Sequence, residues 1–480
     1  MGRQRVIYCP SRIESPEHSV IEVFYQNDAV SNIEIKLTEG ASRFFKNWLP
    51  SKMVVDVPFL VPRICGLCSA AHSICAAQAM ENAYGMEVSP RSRVFRELIM
   101  GAETVRNHLI HVGLFELPDI LAVIDGSWQP QDSQGPAHPV VKDFVKSSTG
   151  ILNNTQKIAE MLAGGSMPVT NRVGGCFPTN IDKGRLEEVR GIFDKIRIQT
   201  RALTESLVNE IYLKNEPSPI LTVPEDWGFA ALMHEKRFTL ASDNLCALNY
   251  DLRDLSVEGL KWFKVNPDGE ITVQVRKKDL QAREAGSFQG WSEFPLPSIP
   301  AIFEQTQKQL GLATQQPLLV GPYARFRLTG ENNYHSDRVR DILSKISPEW
   351  KQNTLFFALL RLVESLELSQ DAIAAIDAGI EIDPEQVQLP RRPVSRQGWA
   401  AVEAPRGTLI HHYRVTMGGY VADAEIFVPT DINFTAIRAL SRAVVDRLEG
   451  SSWANQPKKL LAILNIALRT FDPCISCLAQ

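Results

Sequence analysis

Four of the chain's eight cysteines fall into two Cys-x-x-Cys pairs, Cys65 with Cys68 and Cys474 with Cys477. Thiolates are soft donors that favour zinc, copper(I), nickel or iron, and two such hooks can set four of them around one centre. Hundreds of residues separate the hooks. On spacing alone a structural zinc stays open, although zinc ribbons usually place their pairs about 15–20 residues apart. A thioredoxin-like role fits less well, because no β-α-β pattern surrounds either pair. A centre built from such distant segments closes the whole fold around itself, which suits a buried reactive metal better than a local staple. The remaining cysteines, Cys9, Cys75, Cys176 and Cys246, have no cluster spacing.

The residues around the hooks narrow the chemistry. Arg63-Ile-Cys-Gly-Leu-Cys-Ser-Ala-Ala-His72 and Asp472-Pro-Cys-Ile-Ser-Cys477 resemble the paired signatures of nickel-iron hydrogenase large subunits. Glu403-Ala-Pro-Arg-Gly407 and Val428-Pro-Thr430 resemble that family's interior motifs, so the likeness spans nearly the whole chain. The resemblance implies that all four thiolates bind nickel, with Cys68 and Cys477 also bridging to an iron that carries CO and two CN ligands. It implies heterolytic cleavage of H2, which needs a base and a route for the proton.

Glu14, in Ser-Arg-Ile-Glu, resembles the family's proton-accepting glutamate, although Ser15-Pro16-Glu17-His18 replaces the usual Gly-His continuation. Taken alone it reads as a solvated glutamate at a strand end. Arg406 corresponds to the arginine that overhangs the open metal position, with Pro405 before it and Asp472 as its expected ion-pair partner. Pro429 and Thr430 match the family's partners for the iron cyanides. His72, four residues after Cys68, is placed to donate a hydrogen bond to a thiolate.

Three departures point toward the H2-sensing branch. Lys46 stands where most members have a glutamate, and Gln480 where they have a histidine, so two ligands of a remote magnesium or iron site are missing and no ion is expected there. The sequence ends at Gln480, where typical large subunits are made with an extension that is later clipped. A mature form and a branch that never carries the extension are both open readings, and the missing histidine favours the second. Leu67 and Phe115 fall at positions lining the family's gas channel, where bulk narrows the path, although both could equally be plain core.

The elements that must position these residues read as mainly α with small β pieces. The family likeness implies a large-subunit fold with a long central helix bundle and peripheral short sheets. Val20 to Tyr25 and Ile33 to Leu37 alternate as a β-hairpin. From Ser89-Pro90, Phe95, Leu98, Ala102, Val105, Leu109 and Val112 recur at helical spacing, and so do Leu186 through Ile211 and Leu355 to Leu368. Asn266-Pro-Asp-Gly269 followed by Ile271, Val273 and Val275 predicts a small β excursion. Pro384 to Gln397 reads as a connection, and helices are expected near 434–449 and 457–469. No linker divides the chain, so we expect one domain over 1–480, its metal site formed by 65–72 and 472–477.

At 480 residues, 44% hydrophobic and 22% charged, the composition is that of a globular protein with a large core. A net charge of -4 argues against nucleic acid or anionic membrane as a partner. No apolar run approaches the roughly 18 residues expected of a membrane span. The opening residues lack a secretory apolar core, so the expected location is the cytoplasm, unless a partner carries the chain elsewhere. With no cysteines left for iron-sulfur clusters, the resemblance implies a separate iron-sulfur small subunit. The expected function is H2 oxidation, serving as a sensor that reports to a histidine kinase. The alternatives are an uptake enzyme feeding a respiratory chain, a related quinone-reducing subunit that has lost its nickel, and a zinc-stabilised interaction subunit.

Overall fold

The structure, a computed structural model, describes residues 3–8, 10, 19–26, 29–37, 41–128, 139–224, 227–234, 237–238, 244–248, 260–265, 271–274, 317–331, 334, 336–381, 390–449 and 456–477. Glu14, Gln480 and the Asn266–Gly269 turn lie outside them.

Four long helices make the body: Pro90–His111, Pro139–Ile158, Lys183–Leu207 and Phe357–Asp377. The last packs against both Pro90–His111 and Lys183–Leu207, and Pro139–Ile158 closes the ring from the other side. Lys183–Leu207 buries Leu186, Val189, Phe193, Ile196 and Leu203, a stripe at three- and four-residue steps. Its start is set by Asp182, whose side chain accepts the Arg185 backbone N–H at 2.8 Å. Phe357–Asp377 is buried almost all round, as a helix apolar on every face must be.

Pro90–His111 continues through a wider π turn, Val112–Glu116, into Leu117–Ile124. By length and composition this run could cross a membrane, contrary to the sequence expectation. Yet 67% of its most apolar window is buried inside the fold. Its His108, His111, Glu116 and Asp119 are buried and face charged partners inside the protein, which marks a core helix.

The expected N-terminal hairpin is present, Ser19–Gln26 with Ala29–Leu37, and Arg3–Tyr8 adds a third antiparallel strand. The expected β excursion is also there, with Leu260–Val265 pairing Ile271–Gln274 inside a larger sheet. A further sheet, Gln397–Ala404, Gly407–Val415 and Val421–Phe427, was not expected from the sequence. It lies deeper than the periphery, because its middle strand is buried at every position except Arg414. The alanine-rich helix Ser69–Tyr84 packs directly on it, its small side chains allowing a close approach.

The expected helix at 434–449 is Pro429–Leu448, with Val428 as its N-cap and Pro429 at its first position. Pro457–Arg469 is the last helix. Ser89 caps the central helix, its Oγ accepting the Ser92 N–H at 3.1 Å with Pro90 at the first helical position. Replacing Ser89 with alanine should lower stability by about 1 kcal/mol, and with glycine by only a few tenths. Denaturant midpoints of the two variants check this.

Candidate metal centre

Each hook sits at the end of a helical segment, where the backbone is free to turn. Cys65 follows the 3-10 turn Val61–Ile64 in an extended conformation, and Cys68 immediately precedes Ser69–Tyr84. The second hook follows Pro457–Arg469 after a turn in which Asp472 adopts a left-handed φ of 51°. For a non-glycine residue that costs energy, so tertiary contacts must hold it.

They do so with buried charge. Arg406 donates from Nε to the Asp472 carbonyl at 2.8 Å, and a terminal nitrogen stands 3.1 Å from Asp472 Oδ1. His111 contributes Nδ1 at 3.0 Å from the same carboxylate oxygen, while its Nε2 meets the Arg469 carbonyl at 2.9 Å. Arg361 donates to the Thr470 carbonyl at 2.9 Å and pairs with Glu116. Arg469 itself clasps Asp119. Burial works against the charge on Asp472, yet Arg406 and His111 hold its carboxyl well below the usual range. Burial pushes Glu116 the other way, up to about 8, despite Arg361.

These contacts bring the four thiols together. Their sulfurs all lie within 4.8 Å of one another, the one such all-cysteine group among the described residues. Cys65 Sγ is 3.4 Å from Cys474 Sγ, and Cys68 Sγ is 3.6 Å from Cys477 Sγ, so each contact joins one hook to the other. Both separations are far beyond the roughly 2.05 Å of a disulfide. Thiolates about 2.3 Å from a tetrahedral ion would stand roughly 3.8 Å apart, so the donor set fits a soft cation. Sulfur contacts with Cys474, then Cys477 and Cys68, make Cys65 the easiest to ionise, while burial drives Cys477 up.

Arg406 is delivered by a two-residue hairpin turn, Pro405-Arg406, between strands paired at Ala404 and Gly407. The turn is pressed against Gly321. A Cβ on Gly321 would stand 2.6 Å from the Arg406 carbonyl oxygen, and one on Gly407, at φ +131°, would stand 2.7 Å from the Gly321 nitrogen. Two glycines therefore let backbone meet backbone beneath the guanidinium. Asn107 ties this corner to the first hook, since its Oδ1 accepts from Arg406 at 3.3 Å and its amide donates to the Leu67 carbonyl. Leu67 in turn directs its N–H to Cys65 Sγ at 3.4 Å.

Thr430 Oγ1 accepts the Cys474 N–H at 3.0 Å, which leaves its hydroxyl hydrogen free to donate, and Pro429 beside it is buried at the first helical position. Glu103 accepts from the Ala70 and Ala71 N–H groups at 2.7 and 3.1 Å, capping the helix that begins after Cys68. Phe115 packs on His111 with ring centres 5.5 Å apart. His72 Nδ1 and His411 Nε2 lie 3.0 Å apart and share a hydrogen bond. Cys75 and Cys176 are plain buried thiols, the latter raised to about 11 by burial.

Sequence reasoning missed Asn107, Glu103, His111 and a charged layer behind the Arg406 turn. In that layer Arg325 joins Glu364 at 2.6 and 2.7 Å to Glu403 at 2.5 Å, and Glu364 also meets His108 at 3.0 Å. The available signal was charge inside apolar helical stripes, as in Phe-Ala-Leu-Leu-Arg-Leu-Val-Glu from Phe357 to Glu364.

Comparison with known proteins agrees with this construction. A sequence model described as nickel-dependent hydrogenase matches residues 43–173 and 317–479. A component of the F420-non-reducing hydrogenase vhc of Methanococcus voltae is 24% identical over 456 residues, covering 91% of this chain and 86% of that protein. NAD-reducing hydrogenase HoxS subunit beta of Cupriavidus necator is 22% identical, covering 99% and 94%. The fold is similar to that of an NAD+-reducing [NiFe]-hydrogenase in the H2-reduced state, with TM-score 0.72, 20% identity and 99% of each chain covered. It is also similar to the Ni-Fe-Se hydrogenase of D. vulgaris Hildenborough, with TM-score 0.66, 19% identity and 100% of each chain covered.

Burial disfavours the Glu364 carboxylate, but the Arg325 guanidinium outweighs it and holds the group down to about 2. Its contribution to stability is therefore full above the unfolded value of 4.5 and fades as pH falls toward about 2. Glu364→Gln should cost about 3–5 kcal/mol near neutral pH by leaving Arg325 under-compensated. The same substitution should remove part of the acid dependence, and denaturation midpoints at neutral and acidic pH read both effects.

Proposed function

Because the chain belongs to the nickel-dependent hydrogenase family, and so is an oxidoreductase acting on H2, we propose that Cys65, Cys68, Cys474 and Cys477 hold a nickel-iron centre with one CO and two CN ligands on iron. The observation that carries this reading is the cross-pairing of the two hooks beneath a buried arginine. All four thiolates would hold the centre, Cys65 with Cys474 on one side and Cys68 with Cys477 on the other. When bound, the centre supplies the soft, electron-accepting site at which H2 is polarised.

The protein's own groups do the rest. Arg406 places a fixed cation whose charge reaches Cys65, Cys68 and Cys474, and it opposes build-up of negative charge there. Asp472 holds that guanidinium still. Thr430, with a hydroxyl hydrogen to offer, and Pro429 line the side for the iron ligands. Glu14 takes the proton, and Leu67 and Phe115 narrow the gas path. H2 yields two protons and two electrons, and the electrons leave through an iron-sulfur small subunit.

The branch within the family admits two readings. Leu67, Phe115 and Lys46 favour an H2 sensor reporting to a histidine kinase in the cytoplasm. The name of one relative, an NAD-reducing hydrogenase, supports a second reading, an enzyme reducing a soluble carrier such as NAD+. Turnover with NAD+ at a rate far above that with artificial dyes would select the second. At the remote site, the Lys46 ammonium stands 3.6 Å from Glu425, which supports a lysine occupying the place of the ion. Elemental analysis should then find nickel and iron but no stoichiometric magnesium.

An infrared spectrum of the purified protein should show one CO and two CN bands that shift under H2. Their absence alongside stoichiometric zinc would sink the reading in favour of a structural site. Cys474→Ser should abolish nickel binding. Glu14→Gln should keep the metals yet block H2/D+ exchange, and exchange at the wild-type rate would remove Glu14 as the base.

A further inference from the structure

Arg406 is carried on a turn of only two residues, so what fixes the turn fixes the base of the guanidinium. Glu403 and Thr408 face each other across the two strands just outside it, and the Thr408 hydroxyl donates to Glu403 Oε1 at 2.5 Å. The other carboxylate oxygen of Glu403 accepts from Arg325 Nη1, also at 2.5 Å. Arg325 lies on Pro322–Thr329, the helix that starts from Gly321, whose backbone is pressed against the Arg406 carbonyl. Its Nε and Nη2 hold the two oxygens of Glu364 at 2.6 and 2.7 Å. Backbone and side chain of one short helix therefore grip the turn together.

Glu364 belongs to the central helix Phe357–Asp377, and three residues earlier the same helix carries Arg361. Residues three apart are neighbours on one face of an α-helix. Arg361 donates to the Thr470 carbonyl at 2.9 Å, two residues before Asp472. One helix, buried on nearly every side, thus sends one arm to the Arg406 turn and another to the backbone that carries Asp472. The two ends meet in the buried Arg406–Asp472 pair at 3.1 Å. Arg325, Arg361, Glu364, Glu403 and Thr408 are all sealed from solvent, so no water competes for these contacts. Arg325 suits its place because a planar guanidinium can bind one carboxylate with two nitrogens and reach a second with its third, which an ammonium on a flexible stem does not reproduce.

We propose that Phe357–Asp377 is a yoke for the hydrogenase reaction. Glu364, acting through Arg325 and Thr408, and Arg361, acting directly, are positioning residues that set Arg406 and Asp472 in one fixed relation beside the thiols. This rests on the reading that the four thiolates hold the nickel-iron centre and that Arg406 acts on it. A displacement of about 1 Å at such a group can cost roughly a hundredfold in rate, so the yoke serves the chemistry as well as the fold.

The test uses the metal-loaded protein with its iron-sulfur partner and three variants. Arg325→Lys keeps the charge and loses the fork, Thr408→Val keeps the shape and loses the hydroxyl, and Thr408→Ser keeps the hydroxyl. In the first two, H2/D+ exchange per nickel should fall by about 10- to 100-fold and the CO and CN bands should shift or broaden at unchanged nickel content, while Thr408→Ser stays near the wild type. Amide hydrogen exchange of the peptide over 403–408, read by mass spectrometry, should quicken in the same two variants, and that over 469–473 should quicken in Arg361→Lys. A lower melting temperature with bands and exchange per nickel unmoved would make the layer purely structural and overturn the proposal. If Arg325→Lys fails to fold, Thr408→Val alone decides. If the wild type lacks CO and CN bands, the metal reading falls, while amide exchange unchanged in Thr408→Val and Arg361→Lys would separately overturn the yoke.

Discussion

Four thiols crowded within 4.8 Å of one another in a buried site cannot all lose their protons unless a cation shares the space. That constraint organises the rest of the molecule. The sulfurs come from segments 409 residues apart, so neither local propensity nor a short loop can bring them together. The helical body supplies the rigidity, and polar contacts to backbone set the hooks: Thr430 on the Cys474 N–H, and Ser42 on the Cys477 carbonyl.

The second dependence is on buried charge that cancels locally. Arg325, Arg406 and Arg469 are nearly sealed from solvent and each faces a carboxylate, while the equally buried Arg361 meets the Glu116 carboxyl that burial raises to about 8. Replacing such pairs with apolar side chains often costs little stability, so their value is better sought in what they hold in place. Here they hold the backbone from Arg469 to Asp472 and the Arg406 turn, the two features that frame the thiols from outside. A strained φ at Asp472 persists because Arg406 and His111 both hold its side chain.

Much of this was legible in the residues. Helical spacing located three of the four body helices but not Pro139–Ile158, Ser89-Pro90 marked a true start, and the hooks with their flanking motifs pointed to the metal family. The sheet that carries Arg406 was not legible. Its middle strand is buried on both faces, so Gly407–Val415 lacks the alternation that reveals a half-exposed strand. Asn107, Glu103 and His111 were hidden for a related reason, since a polar residue in a helix declares itself only when its partner, remote in sequence, is known. The helix start at Val428-Pro-Thr430, five residues before the expected 434, was hidden because a Pro-initiated helix and a plain turn begin alike.

The distance between the hooks along the chain also imposes an order in time. At roughly 5–20 residues per second of ribosomal synthesis, 409 residues correspond to about 20–80 s between the emergence of the first pair and the second. Throughout that interval Cys65 and Cys68 are a half-site, two thiols able to pair with each other or capture a stray ion. Assembly of the centre is therefore a late event by construction. Whatever shields the first pair during translation is as much a part of making the protein as the residues that eventually enclose it.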